Sequence, residues 1–262
     1  MKKKQKIPVL MYHGIESDDQ PAGYDDPGDL LYVLKKEQFY QQMKYLCDND
    51  YHVANLLDLN KTEQLPEKTV VITFDDGHRS DYTVALPILK EFGFTACFYI
   101  TTGWIGGDNY LLPEHITELS REGMVIGTHG VTHTYFNEMS PDQYKSELKE
   151  SKNELDGLSI QPTVCFSAPG GRITSGVVRH AVSLGYQSIG MSVTKPFQMG
   201  GDVHGIPRIA IKNKLTIDEF EKVVSCDHYY YLNTEIKYKV LILAKKILGN
   251  RLYERVRSTL IQ

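Results

Sequence analysis

The sequence is short of several things, and each shortage excludes something. No stretch approaches the roughly 20 consecutive apolar residues that carry a helix across a bilayer. The N-terminus opens with a basic Met1-Lys2-Lys3-Lys4-Gln5-Lys6, but the apolar run behind it, Ile7-Pro8-Val9-Leu10-Met11-Tyr12, stops at His13. A secretory core needs roughly 7–15 apolar residues, so the expectation is a soluble, cytoplasmic chain. Cysteine is scarce. Cys47, Cys97, Cys165 and Cys226 lie far apart and form no C-x-x-C pair. That argues against a disulfide framework or a thiolate zinc site and leaves buried, reduced thiols. An excess of one charge is also missing: the net charge of −4 provides no basic footprint, so no nucleic-acid partner is expected. There is no internal repeat and no low-complexity segment.

What is present is ordinary for a globular protein. Of the 262 residues, 41% are hydrophobic and 24% charged, enough for one large α/β domain or two small ones. Short β-branched or aromatic runs alternate with helical patterns. Strands are expected at Val9–Tyr12, Thr69–Phe74, Thr95–Ile100, Met124–Thr128, Thr163–Phe166, Gln187–Met191 and Ile206–Ile211. Between them, Lys36–Asn49 carries Phe39, Met43 and Leu46 at helical spacing, and Ser80–Phe92 reads as a helix with Pro87 a potential kink. Leu112–Arg121, Thr174–Leu184 and Ile217–Val224 also read as helices. Ser140 is an N-cap, followed by Pro141 and by Gln143 three positions on, so a helix starts there and runs to about Leu155. The segment Ile15–Asp29, rich in Asp, Gly and Pro, is a loop. This alternation implies parallel βαβ units, and seven or so strands suggest a barrel over an open sheet.

Two domains are expected: a barrel over residues 1–230 and a basic amphipathic helical extension over 231–262. From Glu235 onward the chain carries Lys237, Lys239, Lys245, Lys246, Arg251, Arg255 and Arg257 against Glu235 and Glu254, around an apolar stripe of Ile236, Val240, Leu243, Ala244 and Ile247. Two readings stand: a terminal helix packed on the barrel, or a weak peripheral membrane contact on anionic lipid. Nothing in the sequence fixes the oligomeric state.

Asp75 and Asp76 end an apolar strand and precede Gly77, at the edge where parallel barrels place their chemistry. Two adjacent carboxylates there repel each other unless a cation is near. His129 and His133 sit four apart in Gly127-Thr128-His129-Gly130-Val131-Thr132-His133, directly after another strand. Each feature alone is weak. Together, Asp76, His129 and His133 make a two-imidazole, one-carboxylate set, the donor chemistry of an open catalytic zinc site. Asp75 is then free to act as a general base on water.

Thr73-Phe74-Asp75-Asp76-Gly77 matches the T-F-D-D-G motif of the polysaccharide deacetylase family, also called the NodB-homology type, and His129-Gly130-Val131-Thr132-His133 resembles its H-x-x-x-H motif. The resemblance runs from about Pro8 to Ile211. It implies a distorted (β/α)7-type barrel, a divalent ion (usually Zn2+, with Co2+ or Ni2+ as substitutes), and hydrolysis of acetyl groups, mostly N-acetyl, from a saccharide. On that resemblance Asp75 is the base and Asp76 a metal ligand. The candidates for the general acid are His13, His204 and His228; Val9-Leu10-Met11-Tyr12-His13 resembles the first strand of the exopolysaccharide-modifying branch, whose histidine faces the active site, and His13 is the preferred candidate.

Two departures stand out. Where many members place an Arg that orients the base, this chain has Ser167, in Phe166-Ser167-Ala168-Pro169-Gly170-Gly171. Arg172 and Arg208 are the candidates to supply the cation, and Pro169 and Gly170 shape a loop toward substrate. The usual late L-x-H motif is not evident. Trp104, in a Gly-rich loop with Tyr110, is a candidate to stack on a sugar. The alternatives to a carbohydrate N-deacetylase are a metal-dependent hydrolase of a non-sugar amide or O-acetyl ester, and a non-catalytic carbohydrate-binding module.

Overall fold

The structure, a computed structural model, describes residues 4–17, 28–61 and 64–236. Seven parallel strands close into a barrel: β1 (Val9–Tyr12), β2 (Thr69–Phe74), β3 (Cys97–Ile100), β4 (Val125–Thr128), β5 (Cys165–Ser167), β6 (Ser188–Ser192) and β7 (Ile206–Ala210). They follow one another in sequence order around the ring. Closure comes from β1, which pairs with β2 on one side (Leu10 opposite Ile72) and β7 on the other (Ile209 opposite Leu10). This is the expected (β/α)7 architecture. A two-residue strand, His52–Val53, adds to the ring beside β2 and was not legible as a strand.

Strand residues are apolar on both faces because both faces are covered. Successive side chains alternate between two cores. Val9, Val71, Cys97, Tyr99, Cys165 and Ile206 pack together inside the barrel. Leu10, Tyr12, Ile72, Phe74, Phe98 and Ile100 point outward under the helices. Phe74 is central to the outer layer: its ring stacks on Phe98 at 4.8 Å and on Tyr12 at 5.4 Å, and meets Phe39 edge-on at 5.8 Å. Full burial of such a side chain contributes about 1.5–3 kcal/mol. This cluster therefore fixes the strand end from which Asp75 and Asp76 emerge.

The helices pack around the ring: α1 (Lys36–Asp48), α2 (Leu86–Glu91), α3 (Pro113–Arg121), α4 (Pro141–Leu158), α5 (Ser175–Ser183) and α6 (Ile217–Val224). The α1 helix buries Phe39, Met43 and Leu46, and the Tyr12 hydroxyl donates to Gln42 Oε1 at 2.8 Å, tying the end of β1 to it. The α4 cap forms as its residues dictate: Gln143 N–H donates to Ser140 Oγ, and the Gln143 side chain returns to Ser140 N–H at 2.9 Å. That helix continues to Leu158, one turn past the expected end.

The segment after the Asp pair differs from a plain kinked helix. Asp81–Ala85 is a π-helical turn, and α2 starts only at Leu86 with Pro87 in its first turn. Proline has no N–H to donate, so the preceding turn widens where a regular helix would have continued. In the Asp-rich loop, Ile15–Glu16 pairs in parallel with Leu34–Lys35, and Asp29–Tyr32 forms a 3-10 turn.

The four cysteines are unpaired. Cys97 and Cys165 are the buried reduced thiols expected, Cys226 is half-buried, and Cys47 is exposed on α1 because it falls on that helix's solvent face. Among the described residues no helix is long and apolar enough to cross a membrane. A helix over 228–236 runs across the expected domain boundary at 230, and the basic stripe beyond 236 lies outside the described residues.

Candidate functional site

Every residue singled out for chemistry in the two motifs sits at the C-terminal rim of the barrel. Asp75 and Asp76 follow β2, His13 follows β1, and His129 follows β4. The backbone bends sharply there. Asp76 has φ +80° and Gly77 φ +82°, two successive residues in the left-handed region, so the turn depends on Asp76 as well as on the expected glycine. A Cβ on Gly77 would come within 2.9 Å of the Ile100 side chain, so glycine is needed there for space too. Asp75 continues the strand direction instead, its N–H donating to the Tyr12 carbonyl at 3.0 Å. This bend sends adjacent carboxylates to different neighbours.

Asp76 faces imidazoles. His133 Nε2 lies 3.2 Å and His129 Nε2 3.6 Å from its Oδ1, and one ligand atom from each of the three residues falls within 4.8 Å of the others. His129 donates through Nδ1 to the Ser167 carbonyl at 2.7 Å, which places its lone pair on Nε2, toward Asp76. Burial pushes His129 down to about 4, which keeps it a neutral, donor-competent ring. Burial also depresses His133, but the hydrogen bond to Asp76 together with the charges of Asp76, Asp75 and Asp29 outweighs it and raises its pKa. Burial disfavours the charge of Asp76, yet the imidazoles of His133 and His78, and then those of His13 and His129, hold its carboxyl well below the usual range. His78 Nε2 stands 3.7 Å from Asp76 Oδ2.

Asp75 faces a guanidinium. Arg208, on β7, is buried and grips Asp75 with two parallel bonds, Nη1 to Oδ1 at 2.5 Å and Nη2 to Oδ2 at 2.7 Å. It also donates to Ser167 Oγ at 2.5 Å and to Thr73 Oγ1 at 3.1 Å, and its plane lies 4.8 Å from the Tyr99 ring. Ser167 thus does not leave a gap where an Arg was expected. It supplies a hydroxyl to an Arg that arrives from another strand. Burial disfavours the charge of Asp75, but Arg208 and then His129 overcome it and lower the pKa, so the carboxylate is ionised. Arg172 does not reach this pair: it lies over the Tyr135 ring at 4.0 Å and 3.7 Å from Glu138.

The cleft above these groups encloses about 220 Å³. His13, Tyr32, Tyr135, Gly170, Asp29 and Ser192 contribute to its walls. The His13 ring packs 4.9 Å from Tyr32, and its buried Nδ1 makes no hydrogen bond among the described residues. Gly170 and Gly171 turn the chain with φ +61° and +66° after the buried Pro169, and a Cβ on Gly171 would sit 2.6 Å from the Ser192 backbone. Trp104 lies outside the cleft lining; its ring packs on His133 at 4.7 Å and on Tyr110 at 4.8 Å. A larger depression of about 520 Å³ lies where the strands begin, beside Met124, Val125 and Val164, and the one metal-ligand set among the described residues is not there.

Sequence reasoning missed Tyr32 and Tyr135 as walls, and the grip of Ser167 and Thr73 on Arg208. None carries a local signal, since each acts through a neighbour distant in the chain. Arg208 did carry one, as an arginine inside an apolar strand.

Comparison with known proteins agrees with this geometry. Residues 62–189 match the family model for polysaccharide deacetylase. YxkH of Bacillus subtilis, provisionally named a polysaccharide deacetylase, is 36% identical over 190 residues, covering 71% of this chain and 64% of that one. The poly-β-1,6-N-acetyl-D-glucosamine N-deacetylase of Escherichia coli K12 is 23% identical over 266 residues, covering 82% of this chain and 38% of that one. The chain therefore spans less than two thirds of either curated relative. The Streptococcus pyogenes deacetylase PplD, solved with acetate, superposes with a TM-score of 0.74 at 26% identity, over 85% of this chain and 99% of that one. The matched segment 62–189 includes the Asp pair and both histidines but neither His13 nor Arg208.

Proposed function

The chain belongs to the polysaccharide deacetylase family, and from that premise we propose that it hydrolyses N-acetyl groups from an amino-sugar glycan with one divalent ion. The observation that supports this most directly is the division of labour between adjacent carboxylates. Asp76 is turned to two imidazoles and Asp75 to a guanidinium.

The donor set fits a metal. Asp76, His129 and His133 present one carboxylate and two imidazoles, and the Ser167 carbonyl fixes the tautomer His129 needs for ligation. These three residues would hold the ion, with zinc the first candidate and cobalt or nickel suited to the same donors. When bound, it would supply Lewis acidity toward the acetyl carbonyl and toward water.

The remaining roles fall to the chain itself. Asp75, ionised by Arg208, accepts a proton from the water that attacks the acetamide carbon. The bidentate grip holds its oxygens in one plane, so the base is aimed before substrate arrives. Acetate leaves as the carbon–nitrogen bond breaks, and His13 delivers a proton to the departing amine. On balance burial lowers the His13 pKa against the upward pull of Asp76 and Asp75, so the ring rests neutral and, once it has taken up a proton, gives it up readily to the departing amine. Tyr32 and Tyr135 offer apolar ring faces to the sugar, with Gly170 giving the chain room beside Tyr135. Typical sites for drug-sized ligands enclose roughly 300–1,000 Å³. At about 220 Å³ the cleft admits one acetamido sugar unit, and the rest of a polymer runs across the rim.

The test is acetate release from N-acetylglucosamine oligomers, beside O-acetylated glycans and simple acetamides, with zinc supplied. Release from the N-acetylated oligomers is expected, and Asp75→Asn should reduce it by about 10²–10⁴-fold while the metal still binds. Release from O-acetyl esters alone would move the assignment to an esterase. Full activity in Asp75→Asn would refute the role of the base.

A further inference from the structure

We propose that Glu147 is a positioning residue of the metal centre: its carboxylate clamps the backbone between His129 and His133 and so sets that pair's affinity for a divalent ion. The inference rests on the metal reading given above.

Glu147 lies on α4 and is only 8% exposed, although it is a carboxylate on a helix face shared with Leu148, Ser151 and Leu155. Lone buried glutamates are costly, and this one is matched by three donors from a single loop. Val131 N–H donates to Oε2 at 2.6 Å, Thr132 N–H to Oε2 at 3.1 Å, and the Thr132 hydroxyl to Oε1 at 2.8 Å. All three donors belong to the residues between the two histidines. Two successive backbone N–H groups converging on one carboxylate form a charge-assisted hook, stronger than neutral hydrogen bonds.

The loop needs such a hook. Gly130 has φ +85° and His133 φ +59°. The glycine adopts that conformation freely, but a histidine there costs on the order of 1–3 kcal/mol and must be held by its surroundings. A Cβ on Gly130 would fall 2.9 Å from Glu147 Oε2, so the glycine also makes room for the carboxylate. On its other side the loop is held by Thr102 N–H on the Gly130 carbonyl and Gly103 N–H on the Val131 carbonyl, each at 3.0 Å. Trp104 then covers the His133 ring. The histidine loop is therefore gripped between α4 and the segment after β3, and the grip on the α4 side is one side chain. The sequence signal was faint but real: a glutamate on the buried stripe of an otherwise amphipathic helix.

Two variants and one wild-type measurement test this in the full chain. Partners that orient metal ligands typically contribute 10–100-fold in affinity. Metal-free wild type, Glu147→Gln and Glu147→Ala are titrated with Zn2+ by calorimetry and with Co2+ by absorption. Trp104, the single tryptophan, reports on His133 through its fluorescence. Wild type should bind one ion, Glu147→Ala should bind about 10–100-fold more weakly, and the near-isosteric Glu147→Gln should fall between. Trp104 emission should shift in both variants before metal is added. Hydrogen exchange on wild type should show the Val131 and Thr132 amides protected. Wild type that binds no ion would sink the metal reading itself, whatever Glu147 does. Equal affinity in folded Glu147→Gln, unshifted Trp104 emission, or fast exchange at Val131 and Thr132 in wild type would overturn the clamp.

Discussion

Asp75 and Asp76 are the same residue, one peptide apart, and they end in opposite electrostatic company. Arg208 makes the difference testable. In the wild type the folded Asp75 pKa is lowered, since Arg208 and His129 outweigh burial. Its contribution to stability is thus present above the unfolded carboxylate value of about 4 and is lost as pH falls through the lower folded value. In Arg208→Met burial has no buried guanidinium against it, and the folded pKa rises above the unfolded one. The protonated form is then favoured by folding, so stability is present at low pH and lost as pH climbs. Breaking a buried pair of this kind costs about 3–5 kcal/mol. The stability gap between wild type and Arg208→Met, measured by urea unfolding, should be of that size near neutral pH and narrow as pH falls toward about 4. A gap independent of pH would show that Arg208 does not control the charge of Asp75.

Strands and helices were legible to the extent that their residues act locally. The β2 strand and α6 match their expected bounds because β-branched runs and amphipathic spacing decide them. The stretch 80–92 was harder, since Pro87 acts on carbonyls a turn away and the outcome, a π-helical turn, has no composition of its own. A consequence of strand packing is open to test at β6. A Cβ on Gly190 would meet Arg208 Nε at 2.7 Å. Gly190→Ala should push the guanidinium off Asp75, at a stability cost of about 1–3 kcal/mol. Turnover should fall on the order of 10²-fold through misplacement of Asp75, the proposed base. A steady-state comparison in which kcat is unchanged would show that the Arg tolerates displacement.

At the scale of the molecule, the rim collects residues from β1, β2, β4, β5, β6 and β7, chain positions as far apart as His13 and Arg208. A ligand that binds only the folded rim must stabilise the whole barrel. Metal at about 100 times its dissociation constant adds about 2.7 kcal/mol. For a chain of this size each 1 kcal/mol shifts Tm by about 2–4 °C. Zinc should therefore raise Tm by roughly 5–10 °C over a chelator-treated sample. In His129→Ala, which removes one of the three proposed ligands but leaves both Arg208 hydrogen bonds to Asp75 in place, the shift should vanish. Calorimetric melting curves that coincide with and without zinc would contradict a metal centre at this site.

The sequence by itself determined the alternation of strands and helices, the barrel, the Asp pair and the histidine pair, because these depend on periodicity and on motifs of adjacent residues. It could not say which arginine meets Asp75, what Ser167 does, or that Trp104 lies against His133 and not in the cleft. Those outcomes depend on which strands become neighbours across a closed ring, and closure is a property of all seven strands together. Local chemistry names the candidates. Only the tertiary structure sets Arg208, Ser167 and Asp75 within hydrogen-bond reach, because residues far apart in the chain meet there through packing that no local pattern records.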